Sequence, residues 1–441
     1  MGATLAVSLA RPSRVRLVIV TMIFVASTIN YADRATLSIA GPSLAKDLGL
    51  DAVSMGYVFS AFAWSYVLAQ LPGGWLLDRY GAKSVYAVAI FLWSSFTLMQ
   101  GAVGFFTGFT AVALLFCLRL IVGLAEAPVF PANARITAAW FPASERGTAS
   151  AFFNSSQYFA TVLFTPLMGW VVHNFGWHHV FTFMGVLGIA FALLWTQVIY
   201  GPKEHPSVNQ AELDYIREGG ALLDMDGHTR ATAPGQTWET IRKLLSNRML
   251  LGIYIGQYCI TTLTYFFLTW FPVYLVKERG LSILQAGFAA VLPALCGFAG
   301  GILGGWVSDL LLKNGYSLTA ARKIPIVGGM LLSMVIIGCN YVQADAVVIG
   351  LMALAFFGKG IGALGWAVVS DTSPKEGGGL SGGLFNTFGN TAGITTPIAI
   401  GYIVQQTGSF NGALVFVGLN ALVAVFCYLV IVGEIKRVEL R

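Results

Sequence analysis

The chain has 441 residues, of which 56 % are hydrophobic and only 10 % are charged. Soluble domains carry about 25 % charged residues, so this composition excludes an ordinary soluble enzyme, a disordered protein and a nucleic-acid-binding protein. The five cysteines are widely spaced inside apolar runs and form no CxxC or Cys/His pattern, so neither disulfides nor a metal site is predicted.

Twelve apolar runs, each long enough to cross a bilayer, follow one another along the chain. They lie near residues 15–44, 52–77, 82–102, 108–138, 146–172, 178–199, 249–277, 283–312, 321–342, 346–371, 379–405 and 410–433. A long polar stretch separates the first six runs from the last six. The sequence therefore predicts an all-α multi-pass membrane protein with an N-terminal six-helix bundle in 1–199, a central loop in 200–247 and a C-terminal six-helix bundle in 248–441.

The charges of the loops predict the orientation of these helices. Of the 26 Lys and Arg residues, 19 fall on the side that carries both termini and the central loop, and three fall on the opposite side. Because basic loops remain in the cytoplasm, both termini and the central loop are expected there.

The two halves repeat each other at a fixed offset. Gly73-Gly74-Trp75 and Asp78 correspond to Gly304-Gly305-Trp306 and Asp309, 231 residues later, and Thr165-Pro166 matches Thr396-Pro397 at the same offset. Parallel repeats of this kind predict two pseudo-symmetric bundles related by an axis along the membrane normal, with a substrate path between them.

The segment GWLLDRYGAK, residues 74–83, resembles the G-x-x-x-D-R-x-G-x-[RK] signature between helices 2 and 3 of the major facilitator superfamily. We predict a gating role for Asp78 and Arg79, whose charges would latch the bundles in one state. A basic turn without a gating role is the alternative. The repeat at Asp309 lacks the following arginine, so the latch is expected to be asymmetric.

Ionisable side chains inside the predicted helices are few. Because such groups are costly in lipid, they usually face a cavity or a partner; they are Asp33, Arg34, Arg119, Glu126, Arg135 and Lys359. Arg135 lies near a helix end and is expected to snorkel. The other five carry three positive and two negative charges, which predicts an anionic ligand; a purely structural ion-pair network is the alternative.

Helical spacing predicts that these charges converge with polar and aromatic groups. Arg119 and Glu126 are seven residues apart, as are Lys359 and Trp366, so each pair would share a helix face. Tyr31, Asn154, Gln157, Asn386 and Asn390 add groups suited to hydroxyl-rich ligands. Hydrogen bonds between helices are the alternative role of the amides.

Asp33 and Glu126 are candidates for proton binding, because each is a carboxylate inside a predicted span, where the dielectric constant is low, near an arginine, Arg34 or Arg119. Two such carboxylates could bind protons on one side and release them on the other; permanent salt bridges are the alternative. No P-loop and no nucleophile–base pair is present, so neither an enzyme nor an ATP-driven pump is expected. No cofactor is expected beyond the coupling proton.

Nearly the whole chain resembles the anion:cation symporter family of that superfamily. The similarity is carried by Asn30–Leu37 and Gly56–Phe62, by Arg119–Pro128 with Trp140–Arg146, and, toward the bacterial D-glucarate/galactarate carriers, by Arg34–Gly41, Phe356–Val368 and Gly401–Leu414. The resemblance implies proton-coupled uptake of sugar-acid dianions by alternating access in a bacterial inner membrane.

The resemblance also implies roles for single residues. Asp33 and Glu126 would bind the proton, Arg34 and Arg119 would serve substrate or coupling, and the sugar-acid pocket would contain Tyr31, Tyr66, Gln157, Trp366 and Asn386. We add Lys359 as a second cation, which would bind the carboxylate that Arg34 does not. Lys359 could instead snorkel or pair elsewhere.

Two other functions remain open from the sequence. One is transport of another organic anion, such as an aldonate or a hexuronate, and the other is a transport-dead sugar-acid sensor. The expected partners are a small sugar-acid anion and the lipid bilayer, without nucleic acid, and the expected oligomeric state is a monomer.

Overall fold

The computed structural model describes residues 12–142, 144–223, 234–374 and 378–439, which contain helices and no strand. Twelve long helical segments, labelled α1 to α12, run back and forth in the predicted order. They are Val15–Leu48, Ala52–Tyr80, Ala82–Phe105, Gly108–Trp140, Arg146–Phe175, Trp177–Val198, Arg248–Lys277, Ile283–Lys313, Leu318–Tyr341, Asp345–Thr372, Gly378–Thr407 and Asn411–Ile431. The predicted limits at residues 1 and 441, and part of the central loop, lie outside the described residues.

Ten of the twelve segments are long and apolar enough by themselves to cross a membrane. The other two, α5 and α11, occupy the places that an alternating up-and-down order requires. Because the number of spans is even, the ends of the described chain lie at the same end of the molecule, which we call the terminal end. The opposite end, which carries the connections α1–α2, α7–α8 and α11–α12, is called the far end.

Four spans that the sequence predicts as single helices are interrupted, and one of them is α8, which breaks at Ala290. α4 breaks at Ala127–Pro128, where Pro128 has no amide hydrogen to donate. α5 breaks at Ser155, and α10 breaks at Gly362–Leu364 in a glycine-rich stretch of low helix propensity. The helical piece of α4 ends at Glu126, and that of α10 ends two residues after Lys359. Both charged residues therefore lie near the end of a helical piece.

The two bundles touch closely toward the far end. A Cβ on Gly56 of α2 would lie 2.6 Å from the Pro397 carbonyl oxygen of α11, and a Cβ on Gly287 of α8 would lie 2.7 Å from that of Thr165 of α5. The Ser38 hydroxyl of α1 donates to the Thr269 carbonyl of α7 at 2.8 Å. Small residues thus let helices of opposite bundles approach at backbone distance.

Most of the side-chain hydrogen bonds and ring contacts that join the bundles in the described part of the chain lie toward the far end, as between Tyr57 and Tyr402 and between Phe59 and Trp270. Two lie deeper: the rings of Tyr158 and Phe298 are 5.7 Å apart, and Asn386 donates to Gln70 at 3.1 Å in the halves of α2 and α11 nearer the terminal end. The structure therefore represents a state that is sealed at the far end.

The predicted central loop contains two short helices, Gln210–Glu218 and Pro234–Ser246. The first is fixed to the N-terminal bundle through Glu212, whose buried carboxylate accepts from the Ser13 hydroxyl and from the amides of Val15 and Arg16, at 2.8 and 3.1 Å for the amides. Arg16 also pairs with Glu212 and with Glu145 at 3.2 Å each. The second helix packs on α7 and α11 of the C-terminal bundle.

Candidate functional site

The first buried ion pair joins α1 and α4 of the N-terminal bundle. Arg34 Nε donates to Glu126 Oε2 at 2.9 Å, and neither side chain is more than 8 % exposed. Arg34 lies in an aromatic enclosure, with its guanidinium carbon 4.5 Å from the ring centre of Phe62 and 4.9 Å from that of Tyr66. Cation–π contacts of this kind hold an arginine without neutralising it.

The second buried ion pair lies beside the first. Arg119 Nη1 is 4.0 Å from Asp33 Oδ2, and both side chains are at most 5 % exposed. At this distance the pair is looser than Arg34–Glu126, and Oδ2 of Asp33 and Nε of Arg119 have no hydrogen-bond partner among the described residues. The two acids and two arginines thus form a balanced cluster of four charges inside the N-terminal bundle.

Lys359 is the fifth buried charge, and it belongs to α10 of the C-terminal bundle. Its residue is 7 % exposed, and its Nζ lies 5.1 Å from the centre of the Phe356 ring. No acidic side chain in the described part of the chain pairs with it. Lys359 is therefore the unbalanced charge of the membrane interior, as the surplus of cations in the sequence suggests.

A narrow void of about 80 Å³ separates the bundles near these groups. Tyr31 and Gln157 line it from the N-terminal side, and Phe356 lines it from the C-terminal side beneath Lys359.

The remaining predicted pocket residues are distributed around this interface. Tyr66 is buried beside Arg34, and Asn386 of α11 bonds to Gln70 across the bundles. Trp366 is 58 % exposed and packs edge-on against Phe385 at 5.0 Å. The break in α10 lies between Lys359 and Trp366, so the two residues are not on one unbroken helix face, and their joint place in the pocket stays a prediction.

The predicted gating residues lie at the terminal end. Asp78 accepts from Arg135 Nη2 at 2.7 Å, and Arg135 also donates to the Leu77 carbonyl at 2.6 Å. Arg79 is exposed, with Trp75 and Tyr80 rings at 5.5 and 5.6 Å. In this state the Asp78 ion pair stays within the N-terminal bundle, and a latch between bundles remains a prediction.

Sequence reasoning missed three residues of this region. Arg135 was expected to snorkel, but it pairs with Asp78, 57 positions away in sequence. Gln70 bridges the bundles, and Tyr265 of α7 bonds to Asn390 at 3.0 Å and faces Arg34. Tyrosine and a single glutamine are ordinary in membrane helices, so only the pairing of the two bundles reveals them.

Two helical bundles that meet over buried charges and are closed at one end have the architecture of a membrane transporter. Residues 23–321 match the description of the Major Facilitator Superfamily. The chain belongs to this superfamily and is a secondary transporter, not an enzyme.

Known proteins resemble the chain over almost its full length. It is 66 % identical to a probable galactarate/D-glucarate transporter of Bacillus subtilis, over 98 % of this chain and 95 % of the relative. It is 62 % identical to a probable galactarate/D-glucarate transporter of Escherichia coli, over 98 % and 97 %. A solved D-xylose-proton symporter shares the fold, with a TM-score of 0.71 over 95 % of this chain and 98 % of that chain, at 16 % identity.

Proposed function

We propose that this protein imports galactarate and D-glucarate together with protons, by alternating access. These sugar acids carry a carboxylate at each end and hydroxyl groups between. The relatives that are 66 % and 62 % identical are named for these two compounds. The observation that carries the proposal is the distribution of buried charge, in which two arginines are paired with acids and Lys359 is not.

A dianion needs two available cations, but among the five buried charges only one cation is unpaired before a proton binds. Lys359 is available to one carboxylate on the C-terminal side. Arg34 becomes available to the other only when Glu126 no longer holds it at 2.9 Å. A proton on Glu126 neutralises the acid and releases the arginine, so proton binding and anion binding favour each other. Such mutual preference is the thermodynamic content of coupling.

Asp33 and Arg119 would supply the second proton-linked pair. Their 4.0 Å separation is compatible with a carboxylate that gains and loses a proton while Arg119 remains in place. The hydroxyl groups of the substrate would be read by Tyr31, Tyr66, Gln157 and Asn386 around the interface. Trp366, which is exposed and lies in the part of α10 nearer the terminal end, would form the entrance wall on the C-terminal side.

The membrane setting follows from the loop charges. With most basic residues at the terminal end, that end would face the cytoplasm of a bacterial inner membrane, and the sealed far end would face outward. The coupling proton is the only cofactor required, and a single chain contains every group that the cycle uses. Asp78 and Arg79 would latch the terminal end when the far end opens.

The test is uptake of radiolabelled galactarate and D-glucarate into proteoliposomes with an imposed proton gradient. Wild-type protein should accumulate both sugar acids when the outside is acidic. Glu126→Gln mimics the protonated acid permanently, so it should lose gradient-driven accumulation while retaining exchange of labelled for unlabelled substrate.

A matched variant controls for a general loss of structure. Glu218→Gln makes the same change from carboxylate to carboxamide at an exposed position outside the predicted spans. This variant should transport as the wild type does. If wild-type vesicles take up neither hexarate, or take up galactonate in preference, the substrate proposal is wrong. Gradient-driven accumulation by Glu126→Gln at the wild-type level would remove the coupling role of Glu126.

A further inference from the structure

A column of buried polar side chains runs through the N-terminal bundle, away from the interface between the bundles. We call this column the polar seam; its members are Ser27, Asn30, Tyr86, Thr97, Asn133 and Thr137. Each is at most 2 % exposed. They belong to α1, α3 and the second part of α4, so the seam is internal to one bundle and does not line the void at Tyr31 and Gln157.

The seam begins at Asp33. The hydroxyl of Thr97 on α3 lies near the Asp33 carboxylate without forming a direct hydrogen bond to it, and Asn30 precedes Asp33 by one turn of α1. Ser27 precedes Asn30 by another three residues, so α1 alone carries the seam about 9 Å from Asp33 toward the terminal end.

The seam continues on α3 and α4 near the terminal end. Asn133 Nδ2 donates to Ser27 Oγ at 3.0 Å, and the Tyr86 hydroxyl lies beside both groups. Thr137 lies one turn beyond Asn133, three residues before α4 ends at Trp140, and Tyr86 is four residues from the start of α3. The seam therefore extends from mid-depth almost to the terminal end.

Most of these groups lack the partner that burial demands. Both side-chain atoms of Asn30, the hydroxyls of Tyr86, Thr97 and Thr137, and Oδ1 of Asn133 make no hydrogen bond to the described protein. Buried polar groups in native proteins are almost always satisfied, by protein or by ordered water. Six such atoms in one column point to a common ligand that can both donate and accept.

We infer that the polar seam holds a chain of internal water molecules and that this chain carries the proton between Asp33 and the terminal face. The inference rests on the proton coupling proposed above and adds the route. A protonated Asp33 gives its proton to the first water at Thr97 and Asn30; its carboxylate then faces Arg119 again, and a proton leaves the chain at the Tyr86–Thr137 end.

The charges around the seam are consistent with this direction. Asp33 is faced by Arg119 from α4 and by Arg34 from its own helix, and Glu126 lies within the same cluster. Along the seam itself the side chains are neutral, and Tyr86 is its one titratable member. A separate route lets the proton depart while the substrate occupies the interface, so the two do not compete for one exit.

Hydration is measured first, because it does not depend on transport. Hydroxyl-radical footprinting by X-ray irradiation of the full-length protein in lipid nanodiscs, read by mass spectrometry, labels buried side chains that touch ordered water. Tyr86 and Trp93, whose Nε1 also has no partner, should be labelled about tenfold faster than Tyr254, whose hydroxyl is bonded to Ser381 at 3.0 Å. Equal labelling of these buried rings would overturn the inference.

Transport then tests the route with shape-conserving variants. Asn30→Leu and Asn133→Leu should slow proton release into pyranine-loaded vesicles by about tenfold, because each removes a hydrogen-bonded step, while galactarate exchange stays near the wild-type rate. Thr137→Val and Tyr86→Phe should act in the same direction. The controls are Thr262→Val and Tyr428→Phe, which change buried hydroxyls of the C-terminal bundle.

The outcomes separate the route from the function. Slow proton release with intact exchange and unchanged controls supports the route. Wild-type rates of proton release in the seam variants, or losses of equal size in the controls, refute it. Absence of proton release in wild-type vesicles would refute the proposed coupling itself, and the labelling of Tyr86 would still report whether the seam contains water.

Discussion

At the scale of a single residue, we predict that Lys359 makes the protein prefer substrates with two carboxylates. In Lys359→Met the unpaired cation is replaced by an apolar chain of similar length, so the second carboxylate of galactarate loses its partner. A charged hydrogen bond contributes about 1.5–3 kcal/mol, so the KM for galactarate should rise at least about tenfold, whereas galactonate, with one carboxylate, should be unaffected.

Competition uptake of labelled galactarate against unlabelled galactonate measures this ratio. Lys277→Met removes an exposed lysine at the far end and should leave the preference unchanged. A Lys359→Met protein that still selects galactarate as the wild type does would show that Lys359 has no part in binding the second carboxylate.

Glu212 is a residue whose effect on stability should depend on pH. Burial raises its pKa, but the bonds from Ser13, Arg16 and Val15 outweigh burial, so the pKa of Glu212 lies below its usual 4.5. A carboxylate with a lowered folded-state pKa stabilises the protein above about pH 4.5, and this contribution is lost as the pH falls through the folded value.

Glu212→Ala should therefore lower the free energy of unfolding by about 2–3 kcal/mol at neutral pH, because it leaves the first amides of α1 without their acceptor. The melting temperature in detergent, measured from pH 8 to about pH 2, should differ from the wild type at neutral pH and converge with it only below about pH 4.5, as the carboxylate becomes protonated. Glu218→Ala, on the exposed side of the same helix, is the control; a pH-independent difference would contradict the assignment.

The charged residues of the site could be identified from sequence because they violate the apolar pattern around them. Asp33, Arg34, Arg119, Glu126 and Lys359 are all found buried, as the cost of charge in lipid requires. The pairing could not be predicted, since Arg34 meets Glu126 rather than its neighbour Asp33 in sequence. Which of several acids an arginine contacts depends on how helices rotate, and spacing within one helix does not report it.

At the scale of elements, the far-end contact between α2 and α11 depends on a glycine. A side chain at Gly56 would clash with backbone atoms of Pro397 and Ile398. Backbone atoms cannot relieve a clash by changing rotamer, as a side chain can. Gly56→Leu should cost about 1–3 kcal/mol of overpacking in the sealed state and shift the equilibrium toward a far-end-open state by about 5- to 150-fold.

Accessibility of Ser38→Cys to a membrane-impermeant maleimide reports this shift, because Ser38 is 2 % exposed at the same seal. Labelling from the far side should increase in the Gly56→Leu background. Gly74→Leu is the matched control on the same helix, since a Cβ there meets no atom within 4 Å. Equal labelling in both backgrounds would mean that the contact at Gly56 does not hold the seal.

The helices themselves were predictable, and their interruptions were not. Twelve apolar runs give twelve spans because each must bury its backbone polar groups within lipid. Hydropathy does not predict the helix breaks at Ser155 and Gly362–Leu364, because the residues there are small or apolar like those around them. Because the break in α10 lies between Lys359 and Trp366, the periodicity of one continuous helix does not describe how these two residues are placed relative to each other.

At the scale of the whole molecule, the internal repeat predicts two bundles but not which end is closed. The pseudo-symmetric halves can rock in either direction, and the sealed far end follows from contacts such as Gly287 with Thr165 that join different halves. The charge asymmetry between the halves is equally important, since four of the five buried charges lie in the first bundle. Under the proposed function, proton binding would therefore be concentrated in one bundle, and the second would contribute mainly to binding the anion.

This asymmetry predicts how the affinity for galactarate should vary with pH. If anion binding frees Arg34 only when Glu126 takes up a proton, each bound dianion brings one proton with it. Linkage then requires the Kd to rise about tenfold for each pH unit wherever Glu126 is ionised in the free protein.

Isothermal titration of wild-type protein in detergent, in buffers of different ionisation enthalpy, measures both the slope of Kd against pH and the proton uptake. Glu126→Gln should give a flat profile without proton uptake, while Asp33→Asn should keep the slope. A wild-type Kd that does not change with pH would show that the Arg34–Glu126 pair stays closed when the anion binds, and coupling would then have to reside in Asp33 and Arg119.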